Sequence, residues 1–331
     1  MSPSPSFPTA TAESSARSTP QQPPRKSGTP RKLPLRPVAH TRSQQERSRR
    51  RTLTALVLPS VLLLLLINAY PLVYAAFQSL HNGTLIITGD FVGLDNYTSV
   101  LKDPAFWEAV RFTAVFTVVA VLGSWVVGLA LALVLRSDFP GRGVFKILLM
   151  LPWVVPVVVS ATSWNQLLST PQSLVPQVFD LLGFGSPMLL ADPTFAKITV
   201  IVFEVWLNFP FMMLMISGSL ASVDHSVYEA ARMDGASNRQ QFFRITMPLI
   251  ARSTYISWIL MTIFIVNDFP TVYLLTGGGP ESSTTTLVVL AYRAVFQNFQ
   301  VGQGVAIAFL MSFTLVVIST VLYRQVRKAH V

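Results

Sequence analysis

Six separate stretches of this chain are long and apolar enough to cross a lipid bilayer, which removes most folds from consideration. A spanning helix needs about 20 mostly apolar residues, and the runs are 53–77, 109–135, 144–168, 198–220, 249–275 and 305–323. Inside a bilayer the backbone finds no water, so an open chain crosses it as helix, which satisfies its own N–H and C=O groups. The sequence therefore predicts an all-α polytopic membrane protein with six transmembrane helices. Composition agrees: charged residues are 12% of the total, about half the ~25% of a soluble domain, too few to cover a water-facing surface.

The formal net charge of +10 could point to nucleic acid, but its placement points to a membrane. Eleven of the 25 Lys and Arg lie in residues 1–51, and most of the others sit in short loops beside the apolar runs. Basic residues flanking spans mark the cytoplasmic side. Residues 1–51 are thus expected to form a disordered basic cytoplasmic tail, since Ser, Pro and Thr there cannot bury enough surface to offset ordering entropy. No apolar core of a signal peptide occurs in it. Loops 136–143 and 221–248 fall on the same side, with Arg136, Arg142, Arg232, Arg239 and Arg244, as do Arg324, Arg327 and Lys328. The opposite loops carry Asp90, Asp95, Asp103, Asp180, Asp192 and Glu281. Both termini are expected inside, with a membrane domain over 52–325.

The chain has no cysteine, which excludes disulfides, thiolate metal sites and cysteine nucleophiles. Its four histidines are scattered, with neither an HExxH pair nor a Gly-x-Ser-x-Gly elbow, so no catalytic or metal centre is expected. No GxxxxGK[ST] phosphate loop occurs, so the chain is expected to bind no cofactor and no ATP of its own.

The loop 221–248 has the strongest local signals. Asp224 or Ser226 can cap a short helix. Gly235 stands where a left-handed residue would end it. Ser237 and Gln240 form a capping box for a second helix, and Pro248 marks the start of the fifth span. Val227, Tyr228 and Ala231 offer a contact face, Ala230 and Ala231 a slim profile, and Glu229 a charge for a basic partner. From the residues alone, an ordinary amphipathic interfacial loop reads equally well.

This loop resembles the EAA loop of the permeases of binding-protein-dependent ABC importers. Glu229-Ala230-Ala231, then Asp234-Gly235-Ala236, then Ile245 and Pro248 carry the likeness. Tyr70-Pro71, the run Phe91 to Tyr97, Asp268-Phe269, Leu275 to Pro280 and Tyr292-Arg293 are similar to the carbohydrate branch. The resemblance implies the six-helix type I importer permease fold in a bacterial cytoplasmic membrane, and alternating access that moves a sugar. It implies a second permease subunit, two ATP-binding cassette subunits that consume the ATP, and an extracytoplasmic sugar-binding protein. Tyr228, Glu229, Ala230, Ala231, Asp234, Gly235, Ala236 and Pro248 would couple to the ATPase subunit. The long N-terminal tail is a departure from the family's core pattern.

Intramembrane polar groups are costly and face a cavity or another helix. Asn165 lies beside Trp164 in the third run. Glu204 and Asn208 share a face of the fourth, near Trp206, and Asn267 and Asp268 lie in the fifth. Amides and carboxyls supply hydrogen bonds for a sugar, and tryptophan a platform for its C–H face. Asn165, Glu204, Trp206, Asn208, Asn267 and Asp268 are therefore the candidate substrate contacts, against the alternative that they tie helices together. An ion-coupled secondary transporter is the competing class. It would need ionisable groups within the spans, and only Glu204 and Asp268 lie well inside. The residues do not choose the sugar.

Overall fold

The computed structural model describes residues 39–328, so the disorder expected of residues 1–38 lies outside the described residues. The chain divides into two compact units, one reaching Leu65 and the other beginning at Leu66. The first helix, α1 (Ala39–Ser79), continues across that boundary. The tail expected to extend to residue 51 is thus helical from Ala39 onward. Gln44, Gln45, Glu46 and Arg47 are straight-chain helix formers, a propensity that the reading from polarity overlooked. Thr52–Ser79 is the portion long and apolar enough to span.

After α1 comes a small hairpin, β1 (His81–Gly83) against β2 (Thr88–Phe91), pairing His81 with Phe91. Helices α2 (Asp95–Lys102) and α3 (Pro104–Val134) follow. Then come α4 (Arg142–Val154), α5 (Val157–Leu168), α6 (Leu174–Leu181) and α7 (Pro193–Ala221). Next are α8 (His225–Met233), α9 (Asn238–Gln241) and α10 (Met247–Val266), the last two joined by a π-helical turn, Phe242–Thr246. Finally α11 (Pro270–Thr276), α12 (Leu287–Tyr292), a second π turn (Arg293–Gln297) and α13 (Val301–Lys328) complete the described residues.

Among the described residues five helices pass as spans by length and hydropathy, and α4 with α5 makes a sixth if the bent pair counts as one. Two expected spans are not single rods. The third is broken between Val154 and Val157, where the two halves meet at 89°. Val155 takes an extended backbone before Pro156, as a residue preceding proline does, and Pro156 has no N–H to continue the ladder. The fifth ends at Val266, and α11 restarts with Pro270 at its first position; Phe269 before it keeps a helical backbone, but Pro270 lacks the N–H that would have reached back to Val266 O. The fourth span, by contrast, runs through Pro210 without ending.

Helices α3 and α7 form the spine. Each starts at an Asp-Pro pair. Asp103 accepts from the Ala105 N–H at 2.9 Å, and Asp192 accepts from the Thr194 and Phe195 N–H groups at 2.8 and 2.9 Å. The proline at N1 gives up an N–H that had no helical partner. In lipid, helices gain little from hiding apolar surface and associate mainly by close packing. Ala120, Ser124, Gly128 and Ala132 recur every fourth residue along α3, and all are buried. Opposite them lie Phe203, Met212, Met213 and Ile216 of α7, all essentially inaccessible. A Cβ on Gly128 would stand 2.7 Å from both the Met212 Cβ and the Met213 backbone nitrogen. The backbones approach that closely only because the small residues let them.

Candidate functional site

The loop after α7 folds as an elbow. Asp224 is the N-cap of α8 and accepts from the Ser226 N–H at 2.9 Å. The Ser226 backbone and then its hydroxyl hold the Asp224 carboxyl below the ordinary carboxylate range. A carboxyl held low contributes stability above its unfolded pKa and loses it as pH falls through the folded one. The cap is therefore intact at neutral pH. Acid titration followed by amide exchange should show α8 fraying only below the usual Asp range, and Asp224→Asn should remove that acid transition.

The helix closes with both bonds of a Schellman turn: the Ala236 N–H donates to Ala231 O at 2.9 Å, and the Gly235 N–H to Arg232 O at 3.0 Å. Gly235 has φ +79°, and no atom lies within 4 Å of where a Cβ would be. The expected capping box is present: the Gln240 N–H donates to Ser237 Oγ at 3.3 Å, and the Ser237 N–H to Gln240 Oε1 at 2.8 Å. From Asn238 the chain runs as one helix to Val266, so the elbow's second arm is also the start of the fifth span. The π turn makes this possible. The Met247 N–H reaches back five residues to Phe242 O, and the widened turn accommodates Pro248, whose ring would crowd the carbonyl four residues earlier.

The elbow's two faces differ. Tyr228 and Ala231 point inward, with Tyr228 only 5% exposed. Tyr228 Oη lies 3.1 Å from Thr246 Oγ1, and the Arg136 guanidinium stacks over the Tyr228 ring at 4.3 Å. Tyr228 thus braces α8 against the ends of α3 and α10 and does not belong to the outward contact face expected for it. The outward face shows Val227, Ala230 and Met233 with Glu229 beside them, and Met233 is 88% exposed. Glu229 Oε1 pairs with His225 Nδ1 at 3.1 Å. Asp234 and Pro248 are exposed, and Ala236 is half-buried. Met233 was missed by the sequence reading, although its place three residues after Ala230 was the available signal.

The intramembrane candidates separate into groups. Glu204, 2% exposed, and Asn208, 8% exposed, lie inside the bundle, and Asn208 Nδ2 donates to Glu204 Oε1 at 2.8 Å. The Glu204 carboxyl also faces Asp268 and Thr271, which bring the α10–α11 break against α7. Glu204 Oε2, Asp268 Oδ2 and Thr271 Oγ1 are buried without a fully formed hydrogen bond. Trp206 joins an aromatic group beside this cluster, its ring centroid 5.4 Å from Trp164 and 5.7 Å from Phe203. Asn165 Nδ2 is used elsewhere, donating to Leu275 O at 2.8 Å and tying α5 to the end of α11. Asn267 is exposed and bonds Ile263 O at 2.8 Å, closing its own helix.

Arg293 has a role the sequence reading did not give it. Its Nη2 donates to Gly277 O at 2.6 Å, and its Nη1 reaches Ser282 Oγ and Thr285 Oγ1, both at 3.3 Å. Thr284 Oγ1 donates to Gly279 O at 2.7 Å. The glycine run 277–279 is therefore a clamped turn rather than a ligand cradle.

The family model of the binding-protein-dependent transport system inner membrane component matches residues 124–329, which include the elbow and its supports. The chain belongs to that family. Among relatives of this permease, the trehalose/maltose transport system permease protein MalF of Thermococcus litoralis is 34% identical over 273 residues, 82% of this chain and 92% of the relative. The sulfoquinovosyl glycerol transport system permease protein SmoG of Agrobacterium fabrum is 34% identical over 274 residues, 82% of this chain and 88% of the relative. A solved bacterial ABC transporter that imports the acidic polysaccharide alginate shares the fold, with TM-score 0.74 at 20% identity over 88% of this chain and 100% of its own. The permease is thus an ABC-importer inner membrane component of several spans, and its relatives are transport proteins rather than enzymes.

Proposed function

We propose that this permease moves a sugar across the cytoplasmic membrane by alternating access, driven by ATP-binding cassette subunits that dock on the α8 elbow. The observation that carries the coupling is the elbow itself: a capped, glycine-terminated helix presenting Val227, Ala230 and Met233 outward while Tyr228 braces it from behind. A rigid knob on the start of a membrane span is what a separate motor needs to grip. Glu229 is placed to meet a basic residue of that motor. In this reading the nucleotide is hydrolysed by the partner, the second permease is a different chain, and a binding protein delivers the sugar to the face opposite the elbow. Both termini lie on the elbow side. The names of the relatives support the substrate class.

Glu204, Asn208 and Asp268 are the proposed sugar contacts, with Trp206 at their flank. The Glu204 and Asp268 oxygens left without a hydrogen bond are acceptors for sugar hydroxyls once the α10–α11 break opens toward the pathway. Asn165 and Asn267 serve the helix ends instead. Asn208→Leu and Asp268→Leu should each lower apparent sugar affinity about tenfold, the loss of one or two hydrogen bonds to a polar substrate, without releasing the ATPase subunits. Uptake by vesicles containing the whole complex, loaded with ATP and offered mono-, di- and oligosaccharides with the binding protein, tests the assignment. Uptake that follows a proton gradient and continues without ATP would replace it with ion-coupled transport.

A further inference from the structure

Two cavities meet at Arg136, where α3 ends near the elbow. One, about 420 Å³, has Arg136, Arg232 and His225 in its wall, and the other, about 170 Å³, has Arg136, Arg142 and Lys146. Arg142 pairs with Asp138 at 2.7 Å, and the His225 ring Nδ1 lies 3.1 Å from Glu229 Oε1. Among the described residues Arg136, Lys146 and Arg232 have no carboxylate within ion-pair distance. The rest of the smaller cavity's wall is mostly apolar, from Ala132, Leu135 and Leu220. Beyond Lys146 the surface continues in exposed Phe145, Ile147 and Leu148.

We propose that this paired cavity binds a phosphate group, carried by the headgroup of an anionic lipid. Uncompensated cations at the ends of spanning helices repel one another, and a phosphate between them relieves the repulsion. The Arg136 fork suits two phosphate oxygens, and basic pockets between transmembrane helices are suited to anionic headgroups. The exposed apolar surface of Phe145, Ile147 and Leu148 beside Lys146 decides the source: a lipid covers it with acyl chain, whereas a free phosphate leaves it uncovered. Because Arg136 also stacks on Tyr228, the same side chain touches both the ligand and the brace of the elbow. Occupancy therefore bears on how firmly the elbow is held.

The test uses the purified permease with its partner subunits in detergent, titrated with spin-labelled phosphatidylglycerol or phosphatidylcholine. The intact complex should prefer phosphatidylglycerol. Arg136→Gln with Lys146→Gln should weaken that lipid about 25-fold, roughly fivefold per charge removed. Lys146→Gln alone, at an exposed position, should weaken it about fivefold, and Arg239→Gln, outside both cavities, should leave it unchanged. Equal binding of the two lipids, or equal phosphatidylglycerol binding by the wild type and Lys146→Gln, overturns the proposal. A third arm adds glycerol phosphate. No displacement at millimolar concentration supports the lipid, while full displacement keeps the phosphate chemistry and overturns the lipid as its source.

Discussion

Gly235→Pro abolishes ATP-driven uptake while the chain still inserts and folds around α3 and α7. The residue sits at φ +79°, and proline is locked near −65°, so the left-handed turn after α8 cannot form. Proline also removes the N–H that donates to Arg232 O at 3.0 Å. No atom lies within 4 Å of a Cβ at this position, so no side-chain clash adds to the lost turn and the lost hydrogen bond. That gives an internal ladder. Gly235→Ala should cost about 1 kcal/mol of local stability and leave partial uptake, whereas Gly235→Pro should leave less than about a tenth, since the redirected chain no longer presents the α8 knob. Uptake and sugar-stimulated ATPase measured on the same vesicles check this, and wild-type coupling in Gly235→Pro would end the docking assignment.

The second large effect is on assembly. Gly128→Leu should eliminate the monodisperse protein peak on size-exclusion chromatography, because α3 meets α7 backbone to backbone there. The Cβ alone would sit 2.7 Å from a backbone nitrogen that has no rotamer to change. Overpacking of a tight interface costs about 1–3 kcal/mol and more where neither side gives way. Gly143→Leu is the matched control, since nothing lies within 4 Å of its Cβ position. A normal peak for Gly128→Leu would mean that the α3–α7 spine tolerates separation.

Much of this was legible in the sequence, because lipid allows few solutions. The apolar runs located the spans, and Asp224, Gly235, Ser237 and Gln240 announced the elbow, since caps are chemistry confined to a few neighbouring residues. The breaks were harder. Pro156 and Pro270 stand at helix breaks, yet Pro210 does not, and the difference depends on tertiary packing that no local window contains. The polar candidates show the same limit. Glu204 and Asn208 were read onto one face because their spacing is helical, and they do meet at 2.8 Å. That Asn165 spends its amide on Leu275 O, 110 residues away, required the fold. Tyr228 was assigned outward for want of knowledge that Arg136 and Thr246 lie behind it. Arg293 was noticed for its place in a pattern, but its clamp on the glycine run is a long-range contact.

The widened turn at Phe242–Thr246 sets the azimuth of everything before it. Buried positions run Gln241, Thr246, Ile250, Thr254 and Ser257, so the one step of five falls at that turn and the later steps are three or four. Without the additional residue the helix would be more regular, but the segment before it would swing by about 100° around the axis. Gln241 would leave the interior, and the knob would aim along a different bearing. A single-codon deletion there would thus act as a screw-thread error, preserving the rod and misdirecting its handle.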